Sequence, residues 1–173
     1  MPGSGGETQD RLPSNVGALL AAPPPLQAMR RELPDYLRPG LDVVFVGFNP
    51  GDRSSRIGHY YAGRGNQFWN FLFESGLAPE RLRPEDDRRV LEFGLGLTDV
   101  VKRWSKSSND LRTADYREGI PLLRAKLKEA APRVEGARVF VLPSTSGRNG
   151  SLTRARKLAY FCSLARWMKR HGQ

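Results

Sequence analysis

Asn49 stands in the run Gly47-Phe48-Asn49-Pro50-Gly51, just after an apolar stretch, and the same glycine-rich segment carries Ser54, Tyr60, Tyr61 and Asn66. A side-chain amide has no useful basicity, so Asn49 can orient a water but cannot deprotonate it. Asp99 lies in a second apolar stretch, Leu95 to Val101. A carboxylate there could activate a water or stabilise a cationic centre. Its bland alternative is a turn cap, and when ionised it cannot donate to a carbonyl. Ser144-Thr145-Ser146-Gly147-Arg148-Asn149 follows a third apolar run. Its hydroxyls can grip phosphates and Arg148 can enter a groove or a base stack. The competing reading is a capped helix entrance with Arg148 solvated.

The residues leaving the first run suggest a small polar pocket. The N–H groups of Gly47, Phe48 and Asn49 could surround a planar ring. Tyr60 and Tyr61 offer π-faces for stacking, and Asn66 offers both a donor and an acceptor. A tight turn with core aromatics is the plainer reading of the same residues. A triphosphate loop needs a Lys after its glycines, and Gly47 to Ser54 has none. Gly63-Arg64-Gly65 lacks the third glycine of a dinucleotide fingerprint and does not directly follow the strand.

The elements that must position these residues follow from patterning. Asp42 to Gly47, Leu95 to Val101 and Val139 to Leu142 read as strands, because each is short, apolar and rich in β-branched residues. Helices are expected over Asn66 to Gly76, Pro84 to Phe93, Thr113 or Asp115 to about Ala131, and Leu152 to about Lys169. Alternating strands and helices predict an α/β fold, a three-layer α/β/α sandwich with a mostly parallel central sheet. Such a sheet places all three loops at one end, where open α/β folds bind ligands. Residues 1–39, rich in Pro, Gly, Ser and Gln, read as a flexible arm, and residues 40–173 as a single domain.

Charge narrows the partner. Lys and Arg number 28 against 18 Asp and Glu, a formal charge of +10. That balance favours nucleic acid over an anionic membrane, with a merely soluble basic surface as the alternative. One cysteine, Cys162, excludes an intrachain disulfide and fits a reducing compartment. With two histidines besides, a structural zinc site is not expected. No apolar run is long enough to span a bilayer, and the N-terminus lacks the pattern of a secretion signal. The expected setting is the cytoplasm of a bacterium, beside its nucleoid, or a nucleus.

Four segments together are specific: VGFNPG (Val46–Gly51), GHYYAGRGNQFW (Gly58–Trp69), YREG (Tyr116–Gly119) and LPSTSGR (Leu142–Arg148). On these the chain resembles the mismatch-specific uracil/thymine DNA glycosylases, a branch of the uracil-DNA glycosylase superfamily, over roughly Leu41 to Met168. The resemblance implies a monomeric, monofunctional enzyme that needs no metal or cofactor. It would flip uracil, or thymine or another damaged pyrimidine, out of a G·U-type mispair in double-stranded DNA. Hydrolysis of the N-glycosidic bond would leave an abasic site. By the same resemblance Asn49 positions the attacking water, and Gly47, Phe48 and Gly51 shape the base pocket. Tyr61 stacks on the flipped base, Asn66 supports the pocket, and Ser54 sets the room for a 5-methyl group. Ser144, Thr145, Ser146 and Asn149 belong to the loop that pinches the DNA backbone, with Gly147 and Arg148 as the wedge. Asp99 departs from the family, whose members commonly carry other residue types there, including an amide or a Lys. A catalytically silent nucleic-acid-binding module and a small nucleotide-binding hydrolase are the rival readings.

A second departure concerns length. A βα unit of the family is missing around Val134-Glu135. Either the unit is deleted or residues are lost from the chain as read. The latter is expected, since losing an inner strand leaves an unpaired edge in the sheet.

Overall fold

The computed structural model describes residues 30–130 and 138–171. The junction at Val134-Glu135 and most of the N-terminal arm lie outside the described residues.

Two parallel strands form the centre. β1 is Val43–Gly47 and β2 is Leu95–Asp99, in register from Val43 opposite Leu95 to Gly47 opposite Asp99. β2 is buried along its whole length, as its unbroken run LGLTD requires. The helices are α1 Asp52–Ile57, α2 Phe68–Glu74, α3 Thr113–Ala130 and α4 Arg154–His171. The fold is thus α/β with a parallel sheet. No helix among the described residues is long and apolar enough to cross a membrane.

The core is largely aromatic. Phe45 of β1 meets Phe68 of α2 edge-on at 5.2 Å and lies parallel to Phe161 of α4 at 6.2 Å. Phe71 and Leu72 of α2, Leu95 and Leu97 of β2, and Leu164 of α4 complete it. Each such buried side chain is worth about 1.5–3 kcal/mol relative to exposure.

Several expectations need correction. Pro84–Phe93 is a 3₁₀ helix, starting at the expected proline and stopping at Gly94, whose φ of 72° is left-handed. α2 begins at Phe68, two residues after the expected Asn66. α1 has no counterpart in the sequence reading, which took its six residues as loop. Val139 to Leu142 forms no strand. Its residues still alternate: Val139 and Val141 are 89% and 82% exposed, whereas Phe140 lies 5.5 Å from the Trp167 ring and Leu142 packs on the core. β-patterned residues still need a neighbour for their backbone N–H and C=O groups, and none of the described residues supplies a ladder there.

The end of the supposed arm, residues 30–39, is docked rather than free. Tyr36 pairs antiparallel with Leu97: its N–H donates to the Leu97 carbonyl at 2.9 Å and its carbonyl accepts from the Leu97 N–H at 3.0 Å. Leu33 is buried and the Tyr36 hydroxyl donates to Asp87 at 2.9 Å. The folded unit therefore starts earlier than residue 40.

One motif acquires a physical reason. In YREG, Gly119 packs α3 so closely on the chain after β2 that a Cβ there would stand 2.2 Å from the Val100 carbonyl oxygen. Only glycine permits that approach.

Candidate active site

The chain leaves both strands as a pair of laced loops. Val100 and Val101 donate N–H bonds to the carbonyls of Gly47 and Phe48, each at 2.9 Å. Further out, Ser105 donates its N–H to Pro50 at 3.2 Å and pairs in parallel with Gly51. Asn49 is held between these loops. Its Nδ2 faces Ser105 Oγ at 2.8 Å, the Arg103 carbonyl at 3.1 Å and the Pro50 carbonyl at 3.2 Å. Two carbonyls on one side fix which end of the amide is nitrogen. The Ser105 hydroxyl donates to the Ser107 carbonyl at 2.5 Å, so it offers Asn49 a lone pair. Asn49 Oδ1 is then left as an acceptor for something outside this network.

Asp99 is 5% exposed, and its Oδ2 has no hydrogen-bond partner among the described residues. Burial pushes its pKa up to about 7; Lys102 pulls it down, Asp35 up and Lys126 down. An unpartnered buried carboxyl that titrates near neutrality is suited to accept a proton.

The stretch 58–62 is braced from several sides. Asp87, itself buried, accepts from the Tyr60 N–H at 2.9 Å. The Trp69 indole donates to the Tyr60 carbonyl at 3.1 Å, and the Tyr60 hydroxyl donates to Pro34 at 3.0 Å. Ser54 Oγ accepts from the Ala62 N–H at 3.1 Å, so its hydroxyl holds the turn. Tyr61 then sits at φ 52°, a left-handed conformation uncommon for a bulky residue. Such outliers persist where surroundings over-determine them. Its ring stacks on Phe68 at 3.7 Å and 18°, which fixes the ring plane. Burial, then the charge of Asp99, raises its phenol pKa. Asn66 Oδ1 accepts from the Phe68 N–H at 3.0 Å and steadies the entry to α2.

The third loop meets this stretch directly. Gln67 donates its N–H to the Thr145 carbonyl at 2.9 Å, and a Cβ on Gly147 would stand 2.9 Å from the Gly65 carbonyl oxygen. Thr145 is buried. Ser144 Oγ and Ser146 Oγ accept from the N–H groups of Ser146 and Arg148 at 3.4 and 3.3 Å. The buried Lys157 of α4 donates to the Asn149 carbonyl at 2.5 Å and ties the loop down. Arg148 is exposed, and its guanidinium bonds to none of the described residues.

These loops line one end of an open cleft of about 1980 Å³ that continues along β1 to Val139–Leu142 and Trp167; at the loop end stand Gly47, Phe48, Asn49, Gly51, Ser54, Tyr61, Asn66, Asp99, Ser144, Thr145, Ser146, Arg148 and Asn149. Every site residue singled out from the sequence lines it except Gly147, which lies at the loop junction. Arg53, Arg56, Arg64, Lys106 and Arg138 line it too, giving it a positive wall. The sequence reading missed Ser105, Asp87, Phe68 and Lys157 as supports. Ser105 carried a signal as part of the Ser/Asn-rich loop after the second strand, and Phe68 as part of the Gly58–Trp69 motif. Among the described residues no cluster of His, Cys, Asp or Glu is arranged to hold a metal.

Residues 34–165 match the family model of the uracil DNA glycosylase superfamily. The chain belongs to that superfamily. Membership brings a DNA glycosylase role, the hydrolysis of a base from its sugar. The fold is also similar to the solution NMR structure of a "putative Uracil DNA glycosylase" from Methanosarcina acetivorans. That likeness has a TM-score of 0.58 at 22% identity and covers 81% of this chain and 98% of the other. In this glycosylase the matched span takes in Asn49, Asp99 and Arg148 together with the Asp35–Tyr36 segment, so the docked part of the N-terminal stretch belongs to the family unit.

Proposed function

We propose that this glycosylase removes uracil from G·U and related mispairs in double-stranded DNA, acting as a monofunctional hydrolase. The observation that carries the reading is one cleft shared by an oriented amide, a partnerless buried carboxyl and an exposed arginine loop. A base inside a duplex is out of reach, so it must be rotated out at a cost of a few kcal/mol, least at a mismatch. Arg148 fills the vacated space, while Ser144 and Ser146 hold the backbone. Tyr61, its ring plane set by Phe68, takes the extruded base on its open side. The backbone N–H groups of Phe48 and Asn49 stabilise negative charge developing on the base.

The N-glycosidic bond breaks with its electron pair going to the base, leaving an oxocarbenium-like sugar. Asn49 Oδ1 accepts a hydrogen bond from the incoming water and aligns it. The water oxygen bonds to the sugar carbon, and Asp99 takes the released proton. The products are an abasic site and a base anion, which then gains a proton from solvent.

Incubation with a G·U duplex should release free uracil and leave an alkali-labile site. Asn49→Ala and Asp99→Asn should each slow single-turnover release. Tight duplex binding without any release would replace the enzyme with a silent binding module. A panel of thymine and other modified pyrimidines opposite guanine would define the substrate range.

A further inference from the structure

Asp35 lies in the docked N-terminal segment, beside Tyr36 and its bridge to β2. Three donors converge on its carboxylate: Thr98 Oγ1 at 2.6 Å, Lys126 Nζ at 2.5 Å and Lys102 Nζ. Lys102 Nζ also donates to the Leu33 carbonyl at 2.9 Å, so it is held at two points by this one segment. Burial works to raise the Asp35 pKa, but the bonds from Lys102, Lys126 and Thr98 outweigh it and keep the carboxyl ionised. Thr98 immediately precedes Asp99 in β2.

Lys102 comes three residues after Asp99 on a flexible four-carbon stem. Successive side chains of a strand alternate faces, so Lys102, held with Thr98 on Asp35, acts on Asp99 through its charge across β2. Freed from Asp35, that charge would no longer be balanced and would favour ionised Asp99. The charged and titratable groups that act on Asp99 are Lys102, Asp35 and Lys126; Tyr60 and Tyr61 feel its charge from the other side.

We propose that Asp35 is a positioning residue: by tying down Lys102 and Lys126 beside β2 it fixes the electrostatic field in which Asp99 takes up a proton. The benefit to catalysis rests on reading Asp99 as the proton acceptor.

Two variants move the field in opposite senses. Asp35→Asn removes a negative charge and releases two ammonium groups, which favours ionised Asp99. Lys102→Met removes a positive charge and favours the protonated form. The carboxyl signal of Asp99, assigned by its loss in Asp99→Asn, is titrated by carbon NMR in the DNA-free protein. Its midpoint should fall by about one unit in Asp35→Asn and rise in Lys102→Met. The acid limb of single-turnover excision should follow each shift. Should the NMR midpoints separate while the excision limb stays fixed, Asp35 still sets the field and Asp99 is not the proton acceptor. Midpoints that match the parent in both variants, or move in the same direction, overturn the inference. Because the two variants must diverge, a general loss of stability cannot imitate the result.

Discussion

Gly47 and Asp99 are cross-strand partners with no room for a side chain between them: a Cβ on Gly47 would stand 2.3 Å from Asp99 Oδ1. The glycine of the first motif thus makes space for the carboxyl of the second strand. Gly47→Ala should force Asp99 out of position, at about 1–3 kcal/mol for an overpacked core site. Urea denaturation would measure the stability loss. Excision at a pH and temperature where the variant is folded should also fall, because the carboxyl is displaced.

Ser105 accepts from Asn49 at 2.8 Å while donating to Ser107, so it acts on the reaction through the amide. Ser105→Ala leaves Asn49 two carbonyl acceptors and frees the amide to rock. The loss of about one hydrogen bond predicts roughly a tenfold slower single-turnover rate. Affinity for a mispaired duplex should be nearly unchanged, and Ser105→Thr should restore much of the rate. Equal losses in rate and affinity would contradict a positioning role.

Asp99 links activity and stability to pH in opposite ways. With its pKa pushed to about 7, the ionised form needed to take a proton disappears as pH falls through neutrality. Excision should therefore decline on the acid side, and Asp99→Asn should lose that limb along with most of the rate. For stability the sign reverses. Between the ordinary value of 3.8 and about 7 the folded chain holds a proton that the unfolded chain has released. Stability then drops as pH rises across that window, by a few kcal/mol at most by linkage. Asp99→Asn should flatten this slope in denaturation curves recorded from pH 5 to pH 8.

The Arg148 guanidinium bonds to none of the described residues, and alanine keeps the backbone N–H bond to Ser146, so Arg148→Ala should leave thermal stability within about 0.5 kcal/mol of the parent. Binding to a G·U duplex and the rate of base extrusion, followed with a fluorescent base analogue beside the mispair, should both weaken. Unchanged extrusion kinetics would remove Arg148 from the wedge role.

Short-range chemistry was legible and long-range chemistry was not. Val43 to Val46 announces a strand, but not a buried one: only Phe45 is buried and Val46 is 42% exposed. Asn49, Tyr61 and Arg148, singled out from residue type and neighbours, line one cleft. α1 was hidden because its six residues, DRSSRI, carry one apolar side chain and no helical stripe. The run Val139 to Leu142 misled because pattern describes a strand's faces and says nothing of its ladder partner. Ser105 bonds a residue 56 positions away, and Asp35 reaches Thr98, Lys102 and Lys126 over 63 to 91 positions. No local signal marks such pairs. The docking of Leu33 and Tyr36 was masked by the surrounding Pro and Gly, which resemble a linker until the backbone of Leu97 is in place to receive them.

Tyr36 has one consequence beyond the reaction. By exchanging both backbone bonds with Leu97 it covers the middle of the outer edge of β2, where an open row of N–H and C=O groups would invite strands from other molecules. A chain trimmed past that tyrosine would carry an adhesive apolar strand, and self-association would set its solubility long before chemistry set its usefulness.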